Sequence, residues 1–116
     1  MSRVAALYVD SARGVYSGLP GVDLWGFASR DGKQADLFAP DRDARLYGGP
    51  LPVVAHPPCG PWGRFHWNYK GGEGSASCGP LAVKQVRALG GVLEHPAGSK
   101  LWKDQGLPRP GKLNKP

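Results

Sequence analysis

The chain has 116 residues, of which 41% are hydrophobic and 21% charged, as in one small globular domain. Its 18 Gly and 12 Pro have no three-residue period, and no apolar run approaches the ~18 residues of a membrane span. Collagen and membrane proteins are therefore excluded. The net charge of +6 lies entirely in residues 56–116, which predicts a polyanionic partner, most simply nucleic acid.

The predicted elements are short, and Gly- or Pro-rich loops separate them. Apolar runs with β-branched residues predict strands at 3–10, 22–27, 51–56 and 92–95. Residues 80–89 have helical periodicity, with Pro80 suited to the first helical position and Gly90 to the stop. The polar segment 28–45 indicates a turn or a surface excursion, and the segment 59–79 is predicted to be long and irregular. A helical turn is predicted over 98–103.

Strand, helix and strand across 51–95 predict one βαβ unit, and its right-handed crossover makes the two strands parallel. We expect a small, loop-rich α/β domain over residues 1–105, with an incomplete Rossmann-like parallel sheet. A basic, Pro-rich tail follows at 106–116. Parallel strands end at one edge of a sheet, where ligands bind in open α/β folds. Cys59, Glu94 and His95 are therefore expected side by side at that edge.

Two motifs follow these strands: His-Pro-Pro-Cys at 56–59 and Glu-His-Pro at 94–96. The pattern resembles the cytosine-5 DNA methyltransferases, and it also resembles phage and prophage proteins with the same two motifs. The resemblance implies that Cys59 is a nucleophile and that Glu94 holds and protonates a flipped cytosine. His56 and His95, beside them in the sequence, are expected to raise the thiolate fraction of Cys59.

The N-terminal stretch is similar to the cofactor-binding half of that family. A strand ends near Asp10, a loop begins at Ser11, and Asp23 follows on the next strand. The resemblance implies S-adenosylmethionine as cofactor, with these three residues binding it. The two Asp also fit a loop-capping role. The family's Gly-rich loop and target-recognition domain have no counterpart, so the chain resembles a minimal or degenerate core.

Aromatic and basic residues alternate in the segment after Cys59. Rings that stack on bases beside cations that meet phosphates are typical of nucleic-acid binding, although such rings also complete small cores. Two Lys in the predicted turn at 98–103 extend the basic character. The predicted nucleic-acid-binding residues are Arg64, Trp67, Tyr69, Lys70, Lys100 and Lys103.

The same region contains a candidate metal site. Zinc takes four nitrogen or sulfur donors, and the donors here are His56, Cys59, His66 and Cys78, with His95 as a fifth. Two Cys without an export signal predict reduced thiols and an intracellular protein, in the cytoplasm of a bacterial host. A disulfide between them is disfavoured for the same reason.

Three functions remain open from these residues. The first is a phage or mobile-element protein that acts on nucleic acid or a nucleotide, and as an enzyme it would be methyltransferase-like. The second is a non-enzymatic basic accessory or anti-defence inhibitor that binds nucleic acid or protein. The third is a zinc-stabilised module. Cys59 equally fits a small buried hydrophobe, and Glu94 fits a strand-end residue that binds backbone amides.

Overall fold

A computed structural model describes residues 2–9, 16, 18–26, 42–58, 62 and 73–108, and for 73–76 the backbone alone. Four short strands form one parallel sheet. They are β1 (Val4–Leu7), β2 (Val22–Trp25), β3 (Val53–Ala55) and β4 (Gly91–Leu93). Two α-helices, α1 (Glu73–Leu89) and α2 (Leu101–Asp104), and a 3₁₀ helix (Ala44–Leu46) accompany them.

The sheet has the order β2-β1-β3-β4, and all neighbouring strands are parallel. Helix α1 joins β3 to β4, so the predicted βαβ unit is present. The predicted α/β class with an incomplete Rossmann-like sheet is confirmed. The strands are shorter than the sequence predicts. β1 ends at Leu7 because Tyr8 turns the chain with a φ of 62°, in the left-handed region.

The core lies between the sheet and α1. Alternate residues of the two central strands point to this side, which is the two-residue period of a strand. They meet small residues of α1 and the segment around the 3₁₀ helix. The fully buried members are Ala5, Leu7, Ala44, Val53, Ala55, Cys78 and Ala82. Small side chains bring the helix close to the sheet, which suits a chain with few large aliphatic residues.

Helix α1 begins at Glu73, whereas the sequence predicts a start at Pro80 and irregular chain before it. That prediction is wrong, and Pro80 lies inside the helix. The added turns are held by packing rather than propensity, since Cys78 and Gly79 are buried. A Cβ on Gly79 would come within 2.9 Å of both Leu101 and Trp62. Glycine is therefore needed where α1 approaches α2.

The polar segment predicted over 28–45 also differs from expectation in its described part. Ala44 is fully buried and Tyr47 nearly so, and the Tyr47 ring meets Trp25 edge-on at 4.9 Å. Asp43 caps the 3₁₀ helix by accepting from the Arg45 amide at 2.9 Å. Burial alone would raise the pKa of Asp43, but the bonds from Arg45 outweigh it and lower that pKa. The segment is thus part of the core boundary.

Helix α2 overlaps the predicted helical turn at 98–103, extends one residue beyond it, and buries Leu101 and Trp102. The predicted tail is described as far as Pro108, and there the Leu107 amide donates to the Trp102 carbonyl at 2.7 Å. Among the described residues, neither helix has the length and hydropathy needed to cross a bilayer.

Candidate functional site

His56 and Glu94 lie next to each other where β3 and β4 end. The His56 amide donates to Leu7 at 3.0 Å and the Glu94 amide to Ala55 at 2.9 Å, which continues the parallel ladder one residue beyond each strand. His56 Nδ1 is 3.4 Å from Glu94 Oε1. The sheet edge therefore joins one residue from each of the two motifs, while Cys59, the predicted neighbour of Glu94 and His95, lies outside the described residues.

These residues line an open cleft of about 390 Å³. Its walls are the rings of two His and two Pro together with one carboxylate, from His56, Pro57, Glu94, His95 and Pro96. The Glu94 side chain is 76% exposed and the His56 side chain 23%. The carboxylate thus stands at the mouth of the cleft, where it can meet a ligand.

His95 lies deeper than its neighbour Glu94. Its Nε2 is 3.5 Å from the Pro58 carbonyl, and its ring meets Trp102 edge-on at 6.2 Å. Burial lowers the pKa of His95, and the contact with Pro58 only partly opposes that shift. Its Nδ1 is buried without a hydrogen-bond partner among the residues that the structure describes. The neutral ring is therefore the favoured form, with Nε2 carrying the proton toward Pro58.

Helix α2 supports the far wall of the cleft. The Pro96 carbonyl accepts from Trp102 Nε1 at 2.8 Å and from the Ser99 amide at 2.9 Å. These bonds fix the Glu94–Pro96 turn to the helix. Lys103 on α2 and Lys100, the residue before it, are both exposed. Two of the predicted nucleic-acid-binding cations therefore lie in the segment that borders the cleft.

Tyr16 joins this site, although the sequence does not single it out. Its Oη lies 2.8 Å from His56 Nε2, and the two rings are 5.4 Å apart. Burial and the nearby Glu94 charge both raise the pKa of Tyr16. No motif surrounds Tyr16, and its place in a Gly- and Ser-rich loop gives no signal that it reaches β3. Only the tertiary structure reveals this contact.

Asp23, predicted to bind a cofactor, has its carboxylate occupied. Arg42 donates to it at 2.7 Å and 3.3 Å, and Trp25 Nε1 donates at 2.9 Å. Arg42 also lies over the Trp25 ring, 4.7 Å from its centroid. These contacts tie β2 to the 42–47 segment, so a structural role accounts for Asp23. Asp10 and Ser11 lie outside the described residues.

Cys78, one predicted zinc ligand, is fully buried in the core on α1. Burial raises its pKa to about 12, which disfavours the thiolate that zinc needs. Within the described ranges, no three His, Cys, Asp or Glu side chains come together as a metal site. The remaining predicted site residues lie outside those ranges: Cys59, Arg64, His66, Trp67, Tyr69 and Lys70.

No protein-family model, curated protein or solved structure matches the chain. The sheet edge, its cleft and the two motifs are the features of the molecule that point to a function.

Proposed function

We propose that the cleft at the end of β3 and β4 binds a base of a nucleic acid or nucleotide, with Glu94 as the acid/base group and Cys59 as the reactive thiol. The observation that carries this proposal is the meeting of His56, Glu94 and His95 around one cleft at the carboxyl edge of a parallel sheet. Cys59 follows Pro58 directly in the sequence. Its role comes from the resemblance to cytosine-5 methyltransferases.

The cleft has the chemistry that a planar heterocycle needs. Its volume falls in the range of small-molecule sites, and its walls include the planar rings of His56 and His95 and the apolar rings of two Pro. An exposed carboxylate accepts hydrogen bonds from ring or exocyclic N–H groups, and a base presents such groups at its edge. Glu94 therefore supplies orientation, and in its protonated form a proton, to a base lying on the His and Pro rings.

S-adenosylmethionine fits the described residues poorly. Asp23 is the only described member of the three predicted cofactor ligands, and Arg42 and Trp25 already bind its carboxylate. Methyl transfer is therefore not part of the proposed function. What remains is base binding with acid/base and thiol chemistry.

A non-enzymatic nucleic-acid binder is the second candidate, and two exposed cations at α2 favour it. Lys103 lies on the helix whose Trp102 holds Pro96 of the cleft wall, and Lys100 directly precedes that helix. Ammonium groups there can meet phosphates while a base enters the cleft. Phosphate contacts give affinity without base selectivity, so this candidate differs from the first in its dependence on Glu94 and Cys59.

Binding of fluorescein-labelled single-stranded oligonucleotides, followed by anisotropy, tests the base site. We expect Glu94→Gln to weaken binding about tenfold, as for a lost hydrogen bond to a charged group. Asp104→Asn, which removes another exposed carboxylate beside Lys103, controls for the lost negative charge and should not weaken binding. Lys100→Ala should reduce the slope of log affinity against log salt by about 0.7. Equal affinities of Glu94→Gln and wild type would refute the base site.

Alkylation by iodoacetamide, followed by intact mass, tests the thiol. We expect Cys78 not to react in the native protein, because it is fully buried and burial raises its pKa to about 12. A single adduct therefore reports Cys59, and Cys59→Ser should give none. We expect a pH midpoint clearly below the ~8.5 of an ordinary thiol. A midpoint at or above that value, or an unreactive thiol, leaves the non-enzymatic binder as the function.

A further inference from the structure

We infer that Tyr16 is a positioning residue of the cleft, which acts through His56 to hold Glu94 in place. The inference deepens the proposed function and rests on it only in making Glu94 the group that meets the ligand. Three side chains carry it: Tyr16 from the loop before β2, His56 after β3 and Glu94 after β4. They come from three separate parts of the chain and form a continuous row.

His56 lies between the other two, with one ring nitrogen facing each. Tyr16 Oη is 2.8 Å from Nε2, and Glu94 Oε1 is 3.4 Å from Nδ1. A neutral imidazole carries a proton on one nitrogen and has a lone pair on the other. Glu94 Oε1 faces Nδ1 at a distance longer than that of a well-formed hydrogen bond, and the charge of the carboxylate favours the proton on Nδ1. Nε2 is then the acceptor, and the Tyr16 hydroxyl must donate to it.

The donor role of Tyr16 agrees with its surroundings. Burial and the Glu94 charge keep the phenol protonated, as its raised pKa indicates. The Nδ1–H tautomer is the minor form of free histidine in water. Tyr16 and Glu94 together stabilise it, one from each side of the His56 ring.

This arrangement assigns different tasks to His56 and Glu94. The nitrogens of His56 face Tyr16 and Glu94, so they orient these neighbours, while the face of the ring remains part of the cleft wall. Glu94 has one oxygen directed to His56 and a largely exposed side chain, so it meets the ligand. We therefore expect His56 to orient Glu94, in addition to any effect on the thiolate fraction of Cys59.

Nitrogen-15 NMR of the imidazole rings in the full chain tests the inference, because bare and protonated ring nitrogens resonate far apart. At a pH where His56 is neutral, we expect it to be mainly Nδ1–H. Tyr16→Phe, which removes only the hydroxyl, should reduce the ratio of Nδ1–H to Nε2–H about fivefold, as for one lost hydrogen bond. Glu94→Gln, which removes the charge at constant size, should reduce it as well.

His95 is the internal control, since its Nε2 faces Pro58 and its ring contacts Trp102. Its signals should stay in place in both variants, which also shows that the fold is intact. Two results would overturn the inference: a His56 that is mainly Nε2–H in the wild type, or an unchanged ratio in Tyr16→Phe. Neither result depends on oligonucleotide binding or alkylation. The NMR test can therefore refute the role of Tyr16 while the base site is confirmed, and the binding test can refute the base site while the role of Tyr16 is confirmed.

Discussion

Gln85 links three parts of the core through one buried amide, and replacing it by Met tests that link. Its Oε1 accepts from the Tyr8 hydroxyl at 2.9 Å, and its Nε2 donates to the carbonyls of Ala44 at 2.9 Å and Tyr47 at 3.1 Å. The side chain is only 6% exposed. Gln85→Met keeps the length of the side chain and removes all three bonds.

The three bonds set the size of the effect. Each buried hydrogen bond is worth about 1 kcal/mol, and carbonyls left without a donor add to the cost. The Ala44 carbonyl keeps the Tyr47 amide as a donor, so its loss is partial. We therefore expect Gln85→Met to lower the free energy of unfolding by about 3 kcal/mol. Tyr8→Phe breaks one of the bonds and should cost about 1 kcal/mol.

Urea unfolding followed by the fluorescence of the four Trp measures these changes. Lys84→Met is the matched control, because the neighbouring side chain on α1 is exposed and should tolerate the change within about 0.5 kcal/mol. Tyr8→Phe combined with Gln85→Met should cost less than the sum of the two, since the variants share one bond. If Gln85→Met costs no more than the Lys84 control, the reasoning is refuted.

Two further predictions concern the stability of the cleft and of the sheet. His95→Asn should flatten the pH dependence of stability. Because burial lowers the pKa of His95 in the folded protein, the unfolded chain binds the proton first as the pH falls through about 6.5. In the wild type the free energy of unfolding then drops by at most about 1.4 kcal/mol per pH unit. Urea unfolding at about pH 8 and pH 5 measures this, and identical pH dependences in variant and wild type would contradict it. Gly91→Ala should lower the free energy of unfolding by several kcal/mol, because the added Cβ would lie 1.8 Å from a carbonyl oxygen of β3. Gly90 has open space around it, so Gly90→Ala should lower that free energy by about 1 kcal/mol, for the positive φ alone. Similar thermal midpoints for the two Gly variants would show that the close contact is absent.

The elements that the sequence predicts well are those with a local signal. Val53 and Val54 lie in an apolar run closed by Pro57, and the periodicity after Pro80 is helical. The first turns of α1 lack such a signal, because Gly and Ser dominate them. They are helical because Cys78 is buried in the core and Gly79 lies against Leu101 of α2. Tertiary burial there outweighs propensity, and a local pattern has no access to it.

The candidate site likewise has a part that the sequence can predict and a part that it cannot. Parallel register pairs Val53 with Gly91 and Ala55 with Leu93, so the next residues on each strand, His56 and Glu94, must be neighbours. A shift of one residue would send Glu94 to the opposite face of the sheet, away from His56. The pairing follows from a βαβ unit and could be predicted.

Tyr16 is different, because its distance from His56 depends on where a loop folds rather than on any register. A parallel sheet ends each strand at the same edge, and the connections between strands must leave from that edge. A loop that leaves β1 therefore starts beside the ends of β3 and β4. The sheet thus favours contacts from this loop onto the site, while the residue that makes the contact is set by tertiary packing. The tautomer of His56 tests the Tyr16 contact, because it depends on the Tyr16 hydroxyl as well as on Glu94, whose place beside His56 the strand register sets.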